Sequence, residues 1–388
     1  MTDSPILPNP LLSKVRAAIL DAGGWLAFDA YMALALYAPG LGYYANHSAK
    51  FGLWPGRQSD SGSGSGGGGG GGSDFVTAPE LTPLFGQTVA KQIAQAMAST
   101  ETGEIWEFGA GSGALARDIL QALDDHACPW ARYTIVELSA VLRQRQQETL
   151  AAYGDRIRWV DALPDRLEGV VVGNEVLDAM PVKLLARQGG QWFERGVTWL
   201  DKEGRLAWQD QLTSLRPPCD IAGDHDYLTE IHPQATAFVA TLAQRIESGA
   251  IFLIDYGFPE HEYYLAQRHM GTLMCHQAHR ADTDPLSNVG LKDITAHVNF
   301  TQMALAAQEV GLELLGYTSQ ARFLMNCGLL DALAQASFAD KAMAQKLLME
   351  HEMGELFKVI GWHKPRPGAD PADWLAIGFA QGDRSHRL

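Results

Sequence analysis

Hydrophobic positions between residues 104 and 257 alternate between short apolar runs and longer segments in which apolar residues recur at helical spacing. The apolar runs predict strands at about 104–108, 132–137, 157–160, 169–173 and 250–257. The periodic segments predict helices at about 113–124, 139–152 and 233–247. Because strands that alternate with helices form a parallel sheet covered on both faces, the pattern predicts an α/β fold with a doubly wound, Rossmann-like sheet.

The pattern changes after the fourth predicted strand. Residues 182–211 carry short apolar stretches separated by Gly189-Gly190 and Glu203-Gly204, which is typical of hairpin turns and predicts an antiparallel insert. Farther along, the apolar spacing predicts a helix at 300–310, a mostly helical stretch at 328–360, and the last two strands at 312–318 and 374–380.

The first hundred residues are predicted to be mainly helical. Helical periodicity covers 11–37, and another helix is predicted to begin near Pro83. Between them, residues 59–73 are almost wholly Gly and Ser, which predicts a flexible loop, either a catalytic lid or a tolerated surface insertion. We therefore predict a helical N-terminal region at 1–103 and a main domain at 104–388, with an antiparallel insert at about 182–230 and a helical insert at about 320–365.

The run Glu107–Gly113 is the most informative chemical motif. It follows the first predicted strand and leads into a predicted helix. Gly109, Gly111 and Gly113 let the backbone approach a ligand closely and adopt turns that a Cβ atom would obstruct. Because the start of a helix also offers free N–H groups, a crevice for a nucleotide-like cofactor is predicted here.

Two cofactors fit this spacing. Gly109, Gly111 and Ala114 also match the dinucleotide fingerprint, so an NAD-linked oxidoreductase stays open. Glu107 favours S-adenosylmethionine (SAM), because its carboxylate can meet the cationic amino group of a methionine moiety but would repel a diphosphate. Glu137, at the tip of the second predicted strand, can accept both ribose hydroxyls of either cofactor.

Ligands of doubly wound sheets bind beyond the carboxyl ends of the strands. This rule collects a set of acids on one rim: Glu107, Glu137, Asp161, Glu175 and Asp255. Asp161 suits the exocyclic amine of an adenine, or serves only as a loop acid or helix cap. The segment Asn174–Pro181 follows a buried strand, and the Asn174 amide is assigned to the cofactor. Glu175 and Asp178 would share a face on a helical turn and bind a guanidinium; alternatively, they complement a helix dipole.

Other polar residues and the composition narrow the function further. His297 is a candidate general base, or else a packed or capping histidine. No metal motif such as H-E-x-x-H is present, so we predict no metal site. The net charge of −15 argues against non-specific nucleic-acid binding. Scattered cysteines, no apolar run of transmembrane length and no recognisable leader predict a cytoplasmic protein without membrane insertion.

The order of several motifs along the chain resembles that of the MidA family of SAM-dependent methyltransferases. The motifs are Leu36–Tyr44, Asp74–Glu80, Glu107–Gly113, Asn174–Val182, Asp293–Phe300 and Met353–Lys358. The family is related to the mitochondrial arginine methyltransferase that assists complex I assembly. The resemblance implies a class I methyltransferase fold with a helical N-terminal addition, and it implies that Thr77, Pro79 and Glu80 lie near SAM.

Two departures from the family pattern matter. The Gly/Ser tract at 59–73 replaces a short link, and Asn299 stands where the family usually has Asp. If that acid helps to bind a cationic substrate, one charge is missing here.

We therefore expect a SAM-dependent methyltransferase that acts on an arginine of a protein substrate, which the resemblance suggests is a subunit of respiratory complex I. Two alternatives stay open: a non-catalytic SAM-binding assembly factor and the NAD-linked oxidoreductase. The sequence leaves the oligomeric state open, a homodimer included.

Overall fold

The computed structural model describes residues 9–46, 77–277, 280–366 and 374–388. The predicted loop at 59–73 lies outside the described residues. The helices are α1 (Pro10–Asp21), α2 (Phe28–Tyr37), α3 (Ala78–Leu81), α4 (Pro83–Thr100), α5 (Ala114–Asp125), α6 (Ala140–Thr149), α7 (Pro233–Arg245), α8 (Glu260–Tyr263), α9 (Phe300–Gln308), α10 (Gln320–Asn326), α11 (Leu329–Gln335), α12 (Phe338–Leu348) and α13 (Met353–Leu356).

The strands also follow the chain from one end to the other. They are β1 (Leu26–Ala27), β2 (Glu104–Phe108), β3 (Arg132–Val136), β4 (Ile157–Val160), β5 (Leu167–Asn174), β6 (Lys183–Gln188), β7 (Gln191–Leu200), β8 (Arg205–Leu212), β9 (Tyr227–Ile231), β10 (Ile246–Phe258), β11 (Met274–Gln277), β12 (Arg280–Asp282), β13 (Asp293–Thr295), β14 (Val298–Asn299), β15 (Glu313–Ser319) and β16 (Phe357–Lys364).

The described residues form two compact units. The first takes its residues from Met1–Ser48, Ala179–Ala235 and Glu260–His297, and the second from Ala49–Asp178, Thr236–Pro259 and Val298–Leu388. Strand β1, in the predicted N-terminal region, pairs with β7 of the predicted insert; the boundary at residue 104 stays a prediction. None of the described helices has the length and apolar character that a membrane span requires.

The second unit is built on an eight-stranded sheet in the order β15-β16-β10-β5-β2-β3-β4, with β14 beside β10. Strands β10, β5, β2, β3 and β4 run parallel, whereas β16 is antiparallel to both of its neighbours. The predicted doubly wound α/β fold is therefore confirmed. All parallel strands end at the same edge of the sheet, which is where ligands of such folds bind.

Burial explains why the middle of this sheet reads as continuous apolar sequence. Val170, Val171 and Val172 of β5 are fully buried, as expected for a parallel strand covered on both faces. The Ile93 side chain of α4 and the Ile119 side chain of α5 belong to the same buried cluster. Helices over the sheet and strands within it thus share one core.

The prediction for the C-terminal part was wrong in one respect. The last strand is not 374–380 but β16. The sequence analysis placed the first part of β16, up to residue 360, in a mostly helical stretch and predicted no strand for the rest. Strand β16 is buried along almost its whole length and pairs with β10 on one side and β15 on the other. Residues 377–379 form a short 3-10 turn instead, and Phe379 packs against Phe323.

The first unit contains the predicted antiparallel insert. Strands β6, β7 and β8 form two hairpins whose turns contain Gly189-Gly190 and Glu203-Gly204, as predicted. Strand β9 pairs with β6, and β1 pairs with β7. Helices α1 and α2 share a buried cluster with β6 and β7, and β11, β12 and β13 form a separate three-stranded sheet.

Close contact between β5 and β10 depends on a pair of glycines. Gly249 lies opposite Gly169 in the strand register, and a Cβ atom at Gly249 would lie 1.8 Å from the Gly169 carbonyl oxygen. We predict that Gly249→Ala lowers the free energy of unfolding by more than about 2 kcal/mol, because the strands must separate. Gly204→Ala is the control, since Gly204 also has a positive φ but has no atom within 4 Å of the new Cβ.

Urea unfolding of both variants and the parent measures the two effects. Gly204→Ala should cost only about 1–2 kcal/mol, the backbone term alone. Equal losses in the two variants would contradict the steric account of the β5–β10 pairing.

Candidate functional site

The carboxyl ends of the parallel strands carry the polar residues that the sequence analysis selected. Strand β2 leads into the glycine turn, β3 into Glu137, β4 into Asp161, and β5 ends at Asn174. In the same sheet, Asp255 of β10 lies one residue beyond the position that pairs with Asn174. The predicted rim of acids in the second unit therefore exists.

The glycine turn has the backbone conformation that its sequence predicts. Gly109, Gly111 and Gly113 have φ values of +68°, +52° and +83°, all in the left-handed region that favours glycine. A Cβ atom at Gly109 would lie 2.9 Å from the Cγ2 atom of Val176. Gly113 is the N-cap residue of α5 and lacks a side-chain cap, and the N–H of Ala114, the first helical residue, donates to Ser112 Oγ at 3.3 Å.

Glu107 lies under this turn with its carboxylate almost completely buried. Its Oε2 atom accepts a hydrogen bond of 2.9 Å from the Tyr133 hydroxyl. Burial raises the pKa of Glu107 to about 8, the Tyr133 hydrogen bond lowers it, and the nearby Glu137 raises it. No basic side chain among the described residues forms an ion pair with Glu107, which suits a carboxylate that meets a cationic ligand group.

Glu137 is held in place by the neighbouring helix. Its Oε1 atom accepts from the backbone N–H of Ser139 at 2.8 Å, and its Oε2 atom accepts from Gln146 Nε2 at 2.9 Å. Burial raises the pKa of Glu137, and these hydrogen bonds lower it. The carboxylate is thereby fixed at the tip of β3.

Gln146 is a residue that the sequence analysis missed. It is fully buried in α6, and its Nε2 atom donates both to Glu137 and, at 3.1 Å, to the Gly111 carbonyl oxygen. The Trp159 indole N–H donates to its Oε1 atom at 3.1 Å. Because an indole N–H can only donate, this contact fixes the orientation of the amide. One side chain thus joins the glycine turn to Glu137.

The segment before α4 also reaches the glycine turn. The Ser112 hydroxyl donates a hydrogen bond to Glu80 Oε1. Thr77 and Pro79 lie at the start of the same short helix, α3, and both are half-buried. Glu80 therefore contacts the turn directly, whereas Thr77 and Pro79 lie beside it in the sequence.

Asp161 is exposed at the end of β4. Leu138, which directly follows Glu137, is 79% exposed. The exposed Leu138 side chain, next to the Glu137 carboxylate, offers an apolar surface against which a ring can pack. The sequence analysis passed over Leu138 because a single leucine carries no motif.

The segment after β5 differs from the helical turn assumed in the sequence analysis. Residues 175–178 form bends and a turn, so neither a shared helical face nor a helix dipole explains Glu175 and Asp178. Glu175 has a φ of +54°, which is rare for a residue with a side chain. The Asn174 Nδ2 atom donates to Glu175 Oε1 at 2.8 Å. Glu175 is half-buried, and Asp178 is 4% exposed.

Asp255 holds this segment. Its Oδ2 atom accepts from the backbone N–H groups of Val176, Leu177 and Asp178, at 3.1, 2.8 and 3.3 Å. Burial raises the pKa of Asp255 well above its usual range, and the charges of Asp178 and Glu175 raise it further. Three carboxylates therefore lie close together beyond β5 and β10.

His297 belongs to the first unit. Its backbone N–H donates to Thr272 Oγ1 at 3.0 Å, and its carbonyl oxygen accepts from His232 Nε2 at 2.8 Å. The backbone on both sides of the imidazole is therefore fixed. No group of three or more His, Cys, Asp or Glu side chains within the described ranges could hold a metal ion.

Asn299 has a structural task in the second unit. It is fully buried and caps α9, since its Oδ1 atom accepts from the Gln302 N–H at 3.3 Å. Asn and Asp are both good N-cap residues. The replacement of the usual acid therefore preserves this contact.

Comparisons with known proteins match this architecture. A family model described as "Putative S-adenosyl-L-methionine-dependent methyltransferase" matches residues 87–318. The chain belongs to this methyltransferase family. The methyltransferase is 48% identical to a Burkholderia thailandensis protein, described as a "likely methyl transferase", whose crystal structure contains S-adenosyl-homocysteine. The match covers 98% of this chain and 96% of the other, with a TM-score of 0.87.

Curated relatives are more distant. The methyltransferase is 27% identical to the mitochondrial protein arginine methyltransferase NDUFAF7 homolog of Caenorhabditis elegans, over 82% of this chain and 75% of the relative. It is also 27% identical to the Drosophila melanogaster homolog of that name, over 95% and 88%.

These findings decide between the two cofactors. The cofactor of the methyltransferase is SAM, since the S-adenosyl-homocysteine in the Burkholderia protein is the product of methyl transfer from SAM. The NAD alternative is therefore set aside. The buried acid and the left-handed glycine turn fit the amino-acid part of that cofactor.

The buried Glu107 gives a prediction about stability. Because its pKa in the folded protein is about 8, against an ordinary value of 4.5, its contribution to stability is fully present below pH 4.5 and is lost as the pH rises through 8. The side chain of the variant Glu107→Gln has no proton to lose in this range, so the stability of the variant does not fall for this reason. We predict that its free energy of unfolding, relative to the parent, increases by roughly 1 kcal/mol per pH unit across this interval.

Urea unfolding without cofactor at several pH values measures this difference. Glu168→Gln is the control, because that acid is exposed at the start of β5. A constant difference between Glu107→Gln and the parent would show that Glu107 has an ordinary pKa.

Proposed function

We propose that this methyltransferase transfers the methyl group of SAM to an arginine side chain of a protein. The observation that carries the proposal is the acidic segment after β5, where Glu175 and Asp178 lie beside Asp255. The names of the curated relatives as protein arginine methyltransferases support it. The resemblance to the MidA family makes a complex I subunit the first acceptor to test.

We assign residues of the second unit to different parts of the cofactor. We assign the methionine amino group to Glu107, and the carboxylate end to the N–H groups of the glycine turn. Glu137 accepts the ribose hydroxyls. Asp161 accepts from the adenine amine, while Leu138 packs against the ring. Asn174 completes the cofactor side of the site.

The segment before α4 closes this arrangement. Glu80 contacts Ser112, so the segment that contains Thr77 and Pro79 stands next to the glycine turn in the proposal. This contact supports the assignment of all three residues to the cofactor.

The acceptor side is anionic. A guanidinium presents a planar fork of N–H donors that carboxylates bind bidentately. Glu175 is the more accessible acid, and Asp178, which is more deeply buried, adds negative potential behind it. In the proposal, both orient the guanidinium with one nitrogen in line with the sulfonium methyl, and proximity supplies most of the acceleration.

Bound SAM supplies an electrophilic methyl group. The acceptor nitrogen forms a bond to this carbon, the carbon–sulfur bond breaks with its electron pair on sulfur, and the nitrogen releases one proton. In the proposal, this proton passes to a general base, for which His297 stays the candidate of the sequence analysis.

The ribose assignment predicts the effect of removing Glu137. Glu137→Ala should weaken SAM binding by at least about 100-fold, because hydrogen bonds to a charged group are lost. Isothermal titration calorimetry measures the affinity. Glu148→Ala, which removes an exposed acid of the following helix, α6, should bind SAM like the parent. If Glu137→Ala also binds like the parent, the ribose assignment is wrong.

The acceptor assignment predicts a different pattern. Glu175→Gln and Asp178→Asn should keep the SAM affinity of the parent, but transfer tritiated methyl to protein roughly 10- to 100-fold more slowly, since orientation is lost. Glu168→Gln serves as the control on the same strand. In the assay, each purified variant or the parent is added with labelled SAM to a heat-treated lysate, and the label bound to lysate proteins is counted.

Two results would count against the proposal. Label at the parental rate in both variants would exclude the acidic segment from acceptor binding. SAM binding by the parent without any labelled protein would favour the non-catalytic assembly factor.

A further inference from the structure

Three consecutive backbone N–H groups point at one carboxylate oxygen in the second unit. Val176, Leu177 and Asp178 all donate to Asp255 Oδ2. The Asp255 Oδ1 atom accepts from the Tyr256 N–H at 3.0 Å. Successive N–H groups of this kind form a concave anion-binding site, and here the occupant is a side chain of the protein itself.

This occupant comes from the neighbouring strand. Asp255 is 1% exposed and lies on β10, whereas its three donors follow β5, the strand that pairs with β10. The Glu175 N–H also donates to β10, to the Ile254 carbonyl oxygen at 2.8 Å. The start of the acidic segment is therefore anchored to β10 at four successive N–H groups.

The anchoring accompanies an uncommon backbone conformation. Glu175 has a φ of +54°, and residues with side chains keep such a conformation only where their surroundings impose it. Because Glu175 lies directly before the three donors, the hydrogen bonds to Asp255 fix the turn that aims its side chain. The Asn174 amide then contacts the Glu175 carboxylate from the preceding residue.

We propose that Asp255 is a positioning residue, which aims Glu175 and Asp178 at the acceptor by holding the backbone N–H groups of residues 176–178. This proposal rests on the acceptor role proposed above for those two acids. Asp255 itself touches neither the acceptor nor the cofactor. Its carboxylate fixes the backbone conformation of residues 176–178 and thereby the positions of the Glu175 and Asp178 side chains.

The test compares Asp255→Asn with Asp255→Ala. In Asp255→Asn, the amide oxygen can replace Oδ2 and keep its three contacts. The amide NH₂ group then takes the place of Oδ1 and cannot accept from the Tyr256 N–H. Asp255→Ala removes all four contacts. Asp383→Asn is the matched control, because Asp383 also accepts from backbone N–H groups, of Tyr317 and Ser385, in another part of the second unit. Asp255→Asn keeps the test possible if Asp255→Ala does not fold.

Three quantities are measured for each variant: SAM affinity by calorimetry, label transfer to protein arginine, and hydrogen exchange of the amides in residues 174–182. We expect exchange at 176–178 to accelerate and transfer to fall roughly 10- to 100-fold, as misplaced groups predict. SAM affinity should stay within about twofold of the parent. The loss should be larger in Asp255→Ala than in Asp255→Asn.

The proposal is overturned if exchange at 176–178 is unchanged, if transfer keeps the parental rate, or if SAM affinity falls by the same factor as transfer. A parent that labels no protein arginine contradicts the proposed function instead. The exchange measurement then decides by itself whether Asp255 holds the segment.

Discussion

Parallel pairing of β2 with both β3 and β5 is the constraint on which the candidate site depends. Because parallel strands end at the same edge, one register brings the glycine turn, Glu137 and Asn174 together, although they are far apart in the sequence. The pairing of β5 with β10 adds Asp255 to that edge. A shift of this register would disperse the site while each side chain stayed on its own strand.

Buried polar side chains then hold the loops that follow these strands. Gln146 joins Glu137 to the Gly111 carbonyl oxygen, and Asp255 gathers the N–H groups after β5. Such networks are strong only when every member is satisfied. In both places, a side chain on a helix or strand binds backbone groups of a loop. The carboxylates of Glu137 and Glu175 are then held where a ligand can reach them.

Periodicity and turn chemistry were sufficient to predict most of the second unit from the sequence. The strands near 104–108 and 169–173 and the left-handed glycines follow from local rules that tertiary contacts do not override. Strand β16 was missed because its mixed residues, Phe357–Lys364, have no clear period, although the strand is buried between two neighbours. Gln146 and Asp255 were not recognised as loop anchors, since their partners are known only once the strands pair.

The central claim is that the methyl group of SAM reaches a guanidino nitrogen of a protein. The most direct measurement is mass spectrometry of proteins incubated with the enzyme and isotopically labelled SAM, with fragmentation that locates the added methyl group. The account predicts labelled methyl groups on arginine, and far fewer at the same incubation time when Glu175→Gln replaces the parent. Labelled methyl groups confined to lysine, carboxyl or hydroxyl groups would contradict it.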